Sequence, residues 1–325
     1  MKEWVKLLKH HPLLMSYGFF FNFFSSFGQT FFVSLLVPFW IAEIGITNSE
    51  FGCMYGLISV TSALTLPLFG RYIDLMPLRR YSLIIFIGLI LSVTLLTTAN
   101  SFLLLLGGLF MVRLFGQGLM THTASTGIAK LFDRERGKAL AFTSLGHPAA
   151  QLILPFFFAL VSTLVSWRLS LILLALLSLF LMLPMIIRIT PDKEKVATAS
   201  QNGSGREDKN HFPYYLLPAL VGFTAMTLFD NKWIFPIFYG LLGISSGLGS
   251  TIKTAVQAEV YGTAQLGQVR SYLSTIMVLG TAAGPPVLGY LLDISFSISH
   301  VMLSAALLTV VVFLVSLLVK VKKPA

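Results

Sequence analysis

Cysteine and carboxylates are what this chain has least of. A single thiol, Cys53, excludes an intrachain disulfide and any cysteine-rich metal site. Only 11% of the 325 residues are charged, against roughly 25% in soluble domains, so the chain has too little polar surface to stay in water. The sequence lacks a His-Glu-x-x-His pair, a Gly-x-Ser-x-Gly elbow, a phosphate-binding glycine and lysine loop, and paired carboxylates within any apolar run. Those gaps argue against an enzyme, an ATP-driven pump, a metal site or a bound cofactor. Lys and Arg number 23 against 13 Asp and Glu, a net charge of +10. With so little polar surface that excess does not describe a nucleic-acid binder, and the lipid bilayer becomes the partner to read it against.

What is present in quantity is apolar length. Mean hydropathy is +0.82 and 55% of residues are hydrophobic. Runs of spanning length fall at 13–41, 51–70, 81–99, 102–128, 139–165, 168–189, 212–229, 232–256, 269–292 and 299–319. Stretches such as Leu83 to Phe86 and Leu103 to Leu106 are apolar on every side, unlike the alternation of barrel strands. The expected fold is therefore all-α, a polytopic membrane protein of about ten transmembrane helices. The first run is too long, and lacks the cleavage site, for a removable leader.

Short loops retain Lys and Arg on the cytoplasmic side. With the N-terminus inside, 20 of the 23 basic residues fall on that side, Arg168 and Lys232 fall opposite, and Arg113 lies within a span. The tally predicts a multi-pass protein of the cell's cytoplasmic membrane with both termini cytoplasmic. Residues 190–211 are polar, from Asp192-Lys193-Glu194-Lys195 through Ser200 to Gly205 and on to Arg206-Glu207-Asp208-Lys209, the composition of a flexible linker. They divide an N-terminal six-helix bundle at 1–189 from a shorter C-terminal bundle of about four helices at 212–325. The two sides are weakly alike. Gly118 is followed 14 residues on by Phe132, Gly247 equally by Tyr261, and each side then runs into a Gly/Pro-bearing helix, at Gly146-His147-Pro148 and Gly284-Pro285-Pro286. Repeated halves around a central loop are the layout of secondary transporters.

Several segments resemble the major facilitator superfamily. Gly70, Arg71, Asp74, Arg79 and Arg80 have the spacing of the signature between that family's second and third helices, with Leu75 and Pro77 replacing its usual basic residue and glycine. Arg113-Leu114-Phe115-Gly116-Gln117-Gly118 resembles the fourth-helix motif, Arg134 to Ala139 the following loop, and Gly146-His147-Pro148 the fifth-helix motif. Ala258 to Arg270, Gly284-Pro285-Pro286 and Leu291-Leu292-Asp293 look like helices ten and eleven of the monocarboxylate-porter-like branch. The family is built of two six-helix halves, so the resemblance implies that counterparts of helices seven and eight are missing, with the join near Tyr215 and Leu216. It implies alternating access, a small-molecule solute, and a cytoplasmic latch in which Asp74 and Arg79-Arg80 act with Arg136.

Polar residues inside spans are costly in lipid and mark the bundle interior. Arg113 sits mid-helix with Gln117 one turn on, which fits an anionic group such as a carboxylate, or a structural charge partner. Asn22, Ser26 and Gln29 form one stripe at i, i+4 and i+7, either a binding face or interhelical hydrogen bonding. His147 and Gln151 are paired at i, i+4, whereas His122, nine residues past Arg113, falls on the opposite face. Ser245, Ser246, Thr251 and Thr254 line the eighth span, where small residues allow close packing. No carboxylate lies mid-span, which favours uniport or anion exchange over proton coupling. The reading is a carrier of a small solute, such as a monocarboxylate. Its rival is a shortened, non-transporting member, inactive, acting as an interaction partner, or repaired as a homo-oligomer.

Overall fold

The computed structural model describes residues 8–132, 135–189, 213–229, 234–261 and 266–318, with backbone alone at 136, 213, 250–261, 266–272, 274 and 318. Among them every regular element is helical. The predicted linker at 190–211 lies outside the described residues.

The first apolar run is not the single helix its length predicts. Helix α1 (Pro12–Phe24) tightens into a 3-10 turn at Ser25–Gly28, and Gln29 is extended, at φ −81° and ψ 146°. One turn restarts as α2 (Thr30–Val33), followed by α3 (Val37–Ile44), which ends on Gly45 at φ 76°, a left-handed conformation that glycine adopts without a Cβ clash. Helix α4 (Asn48–Gly70) opens with a capping box: the Thr47 hydroxyl accepts from the Glu50 amide, and the Glu50 carboxylate accepts from the Thr47 amide at 2.8 Å. After a 3-10 turn at Arg71–Asp74 come α5 (Leu78–Thr98) and α6 (Phe102–Val112). A π-helical segment at Arg113–Met120 then leads into α7 (Thr121–Leu131). The fifth and sixth spans are α8 (Arg136–Ser144) with α9 (Gly146–Leu164), and α10 (Trp167–Ile187).

Beyond the linker lie α11 (Leu217–Leu228), α12 (Ile234–Tyr261), α13 (Leu266–Ala282), α14 (Gly284–Asp293) and α15 (Ile298–Leu318). Seven described helical stretches are long and apolar enough to cross a membrane, and Tyr214–Leu228 and Ile234–Gly249 are shorter apolar helices. With the broken first run these make about ten segments. Helix α11 departs from expectation: its 12 residues reach about 18 Å, short of a full span.

Helix α1 is the hub of the first part, packed against α7, α8, α9 and α10. The contiguous buried core runs from Leu14 to Ile189 and is rich in Phe, with Phe21, Phe24, Phe27 and Phe32 all below 3% exposed. Ser and Thr hydroxyls turn back onto their own helices, as Ser59 does to the Tyr55 carbonyl and Thr123 to that of Leu119, so they cost no unpaired group in lipid. The tightest crossing sets the break in α1 against the π segment. A Cβ on Gly28 would strike the Val112 carbonyl and the Gln117 amide, and one on Gly116 would lie 2.9 Å from the Gly28 nitrogen.

Arg168, one of the two basic residues that break the charge rule, is held in place. Its guanidinium forks onto Glu43 at 2.7 and 2.5 Å, its Nε donates to the Thr97 carbonyl at 3.0 Å, and the Trp167 indole donates to the same carboxylate at 2.9 Å. This ties α3, α5 and α10 at the end away from the basic loops.

A pair of glycines tests the crossing, and Glu43 tests the tie. Gly28→Ala forces backbone apart and should cost about 1–3 kcal/mol, seen as a lowered melting temperature in detergent. Gly107→Ala, on α6 where nothing lies within 4 Å, should be neutral or slightly stabilising. Glu43 lies past the apolar run, and its hydrogen bonds to Arg168 hold its carboxyl below its ordinary 4.5. Its contribution is therefore complete above that pH and lost as pH falls through the lowered value. Glu43→Gln should flatten this acid-side loss in a melting-temperature profile, by under about 1 kcal/mol because the pair is a third exposed.

Candidate functional site

A cavity of about 590 Å³ lies between the two parts of the chain. Of the residues singled out from sequence, Asn22, Gln29, Arg113, Gln117, His147 and Gln151 line it, together with Ser245 and Ser246. Ser26 does not. The 3-10 turn carries fewer residues per turn than an α-helix and Gln29 is extended, so the predicted i, i+4, i+7 stripe is broken. Asn22 and Gln29 still reach the cavity, while Ser26 is fully buried behind it with no partner for its hydroxyl.

His122 moves the other way. An α-helix would place it opposite Arg113. The i→i+5 bonding of the π segment puts more residues into each turn, so nine positions cover about two full turns. His122 therefore lines the same cavity as Arg113.

Arg113 is 3% exposed. Its Nη1 donates to the Gly28 carbonyl at 3.2 Å, to the Tyr55 hydroxyl at 3.1 Å and to the Thr30 hydroxyl at 3.4 Å, and the guanidinium lies 5.0 Å over the Tyr55 ring. Tyr55 in turn donates to Thr30 at 3.2 Å. The acceptor on Gly28 exists because α1 breaks there and leaves the carbonyl outside a regular helical ladder. Among the described residues no carboxylate pairs with Arg113, and its Nε has no partner. Across the cavity Thr143, His147 and Gln151 repeat at i, i+4, i+8, and Asn22 donates to the Thr143 carbonyl at 3.0 Å. No Asp or Glu lines the cavity among the described residues, and its apolar wall includes Leu66, Leu140, Leu242, Met277 and Val278.

Sequence reasoning missed Tyr55 and Thr30, which anchor the guanidinium from α4 and α2. Tyr55 sits in an apolar run where a lone tyrosine reads as core, and only the crossing of α4 with the π segment gives it a partner. Thr251 and Thr254 lie among residues whose side chains are not described.

At the basic end, Asp74 closes the 3-10 turn after α4 and pairs with Lys130 at 2.5 Å, while Lys130 also donates to the Ile73 carbonyl at 2.9 Å. Gly70 ends α4 near the His122 ring, Arg71 is exposed with its guanidinium 5.4 Å from the Tyr72 ring, and Arg79 and Arg80 are exposed on the first turn of α5. The expected partner Arg136 begins α8, and its side chain is not described.

A multi-pass helical membrane protein with a central, largely apolar cavity that carries several polar side chains and, among the described residues, one buried guanidinium has the architecture of a membrane transporter. The Major Facilitator Superfamily model matches residues 18–213, more than half of the chain, and the chain belongs to that family. Its family and fold are those of a membrane transporter, which works on a small-molecule solute in a lipid bilayer. Among solved structures it resembles the human organic anion transporter MFSD10 (TETRAN), with a TM-score of 0.60 at 13% identity over 94% of this chain and 99% of that one. A search of the curated proteins finds no match in sequence.

Removing the anchor should register as stability. Arg113→Leu leaves the Gly28 carbonyl and the Tyr55 hydroxyl short of a donor, an expected loss of about 1–3 kcal/mol. Arg113→Lys, with one donor to offer, should recover part of it when thermal unfolding in detergent is compared.

Proposed function

We propose that this transporter carries a small organic anion, such as a monocarboxylate, by alternating access, with Arg113 as the anion's counter-charge. The observation that carries the reading is the buried guanidinium itself, facing a cavity without a carboxylate among the described residues. A buried charge is expensive unless paired, so the state that binds an anion gains what the empty state lacks. Nη1 is committed to Gly28, Thr30 and Tyr55, whereas Nε has no protein partner. Nε is itself buried, so what the cavity offers an oxyanion is the fixed positive charge of the anchored side chain rather than an open donor. A volume of about 590 Å³ suits a small organic molecule. The similarity in fold to MFSD10, an organic anion transporter, agrees with this chemistry.

The basic loops then face the cytoplasm, with both termini on that side of the cell membrane. Asp74, Lys130, Arg79 and Arg80 lie at the mouth through which the solute exchanges with the cell interior, and Asp74 acts as a latch there. A second reading, a family member that no longer transports, draws on the contiguous buried cluster, which among the described residues runs from Leu14 to Ile189, and on the short α11.

Counterflow of radiolabelled lactate, pyruvate and benzoate in proteoliposomes tests both. Transport should be clear for the native chain and fall at least about tenfold in Arg113→Ala, the rate equivalent of about 1.4 kcal/mol. Equal counterflow in both preparations sinks the role of Arg113, and none in either supports the non-transporting reading. Asp74→Asn should slow transport while shifting stability by under about 1 kcal/mol, since Lys130 and Asp74 are 42% and 66% exposed.

A further inference from the structure

The two parts of the chain are fastened together at one end. Asp293, the last residue of α14, accepts hydrogen bonds from the backbone amides of Asn48 at 3.2 Å and Ser49 at 2.7 Å, and from the Asn48 side-chain amide at 3.0 Å. These bonds complete the first turn of α4. A helix begins with four amides that have no intrahelical acceptor. In α4 the capping box serves those of Thr47 and Glu50, and the remaining two, on Asn48 and Ser49, are served by Asp293 from the other part of the chain. The start of α4 is fully satisfied from within the protein only while α14 is docked on it.

Behind the carboxylate the helices meet backbone to backbone. Gly289 faces the Asn48 carbonyl, Gly52 faces that of Pro285, and a Cβ on Gly56 would lie 2.9 Å from the Pro286 ring and 3.0 Å from the Ala282 carbonyl. This contact lies at the end of the bundle opposite Arg71, Arg79 and Arg80. The cavity extends the other way: from Gln29, Arg113 and Gln151 its lining runs toward Ser125, Thr126 and Leu140, nearer the basic loops.

We infer that Asp293 is the gating residue of the face opposite the basic loops, holding the cavity closed there by capping α4, and that access from that face requires the cap to be undone. The inference rests on the alternating-access reading above. An ionised carboxylate on helix N-terminal amides is a strong but reversible tie. Its donors sit at the surface, where water replaces the carboxylate once the helices part, so opening leaves no buried amide unpaired. The glycine and proline contacts give the closed state its fit, and the carboxylate fixes its register.

The test reads accessibility, so it needs no substrate. In a Cys53→Ser background, the reporter Ser246→Cys places a single thiol in the cavity wall. A membrane-impermeant maleimide is applied to each face of proteoliposomes whose sidedness is read from a C-terminal tag. With Asp293 present, the reporter should be labelled from the face of the basic loops, and slowly from the other. Asp293→Ala should raise labelling from the opposite face at least about tenfold, and Asp293→Glu should keep most of the closure.

Asn48→Pro provides an independent arm. It removes two of the three donors at the first helical position, where proline is favoured, and Thr47 before it already has the extended backbone, φ −81° and ψ 164°, that precedes proline. Opposite-face labelling that stays at the native level in both Asp293→Ala and Asn48→Pro, in protein with a normal melting transition, overturns the inference. Failure of lactate, pyruvate and benzoate to move would instead count against the transport reading and leave the labelling result to stand alone.

Discussion

Much of this molecule's arrangement depends on a broken helix whose exposed backbone has to be answered from elsewhere. Water is not at hand in the middle of a bilayer, so each freed carbonyl needs a donor from the protein. The break at Gln29 frees the Gly28 carbonyl, and Arg113 supplies the donor. That solution demands close approach, which the glycines at 28 and 116 provide, and it demands that the arginine project from the right side of its helix, in a stretch wound as a π helix. Tyr55 and Thr30 then hold the guanidinium from two other segments. A defect in one helix and a distortion in another thus stabilise each other and leave a fixed positive charge beside a cavity.

The scarcity of carboxylates takes on meaning in this light. Glu50 caps α4 from within, Asp293 caps it from the other part of the chain, Glu43 answers Arg168, and Asp74 answers Lys130. Each of these four stands at a helix end or in a turn. Keeping acids there leaves Arg113 without a carboxylate partner among the described residues, and it makes helix termini the places where the bundle is tied.

The second part of the chain contributes little to the contiguous core but much to the cavity wall, through Tyr215, Leu242, Ser245, Ser246, Met277 and Val278. Its contacts with the first part run through glycine and proline faces, α14 on α4 and α12 on α9, where Gly243 and Gly247 approach Pro148. Backbone-level contacts of this kind suit surfaces that must meet closely without interlocking side chains. The second part therefore provides one wall of the cavity and, through Asp293, a cap on the start of α4.

The sequence by itself determined the membrane, the number of apolar segments, the basic end and the family, because these follow from composition and from spacings read along a line. It also brought Arg113, Gln117, Asn22, Gln29, His147 and Gln151 forward, since a polar side chain in lipid is conspicuous wherever it faces. Which of them share a cavity was decided only by the tertiary structure. Ser26 was lost from its stripe and His122 gained a place beside Arg113 because the helical period is not constant: a 3-10 turn tightens it and a π segment loosens it, each rotating the residues beyond it. Tyr55 and Asp293 stayed illegible for a different reason. An apolar-run tyrosine and a loop-end aspartate acquire their roles from partners, 58 residues away in Arg113 and about 245 away in Asn48 and Ser49, and only packing of the helices brings those partners within reach.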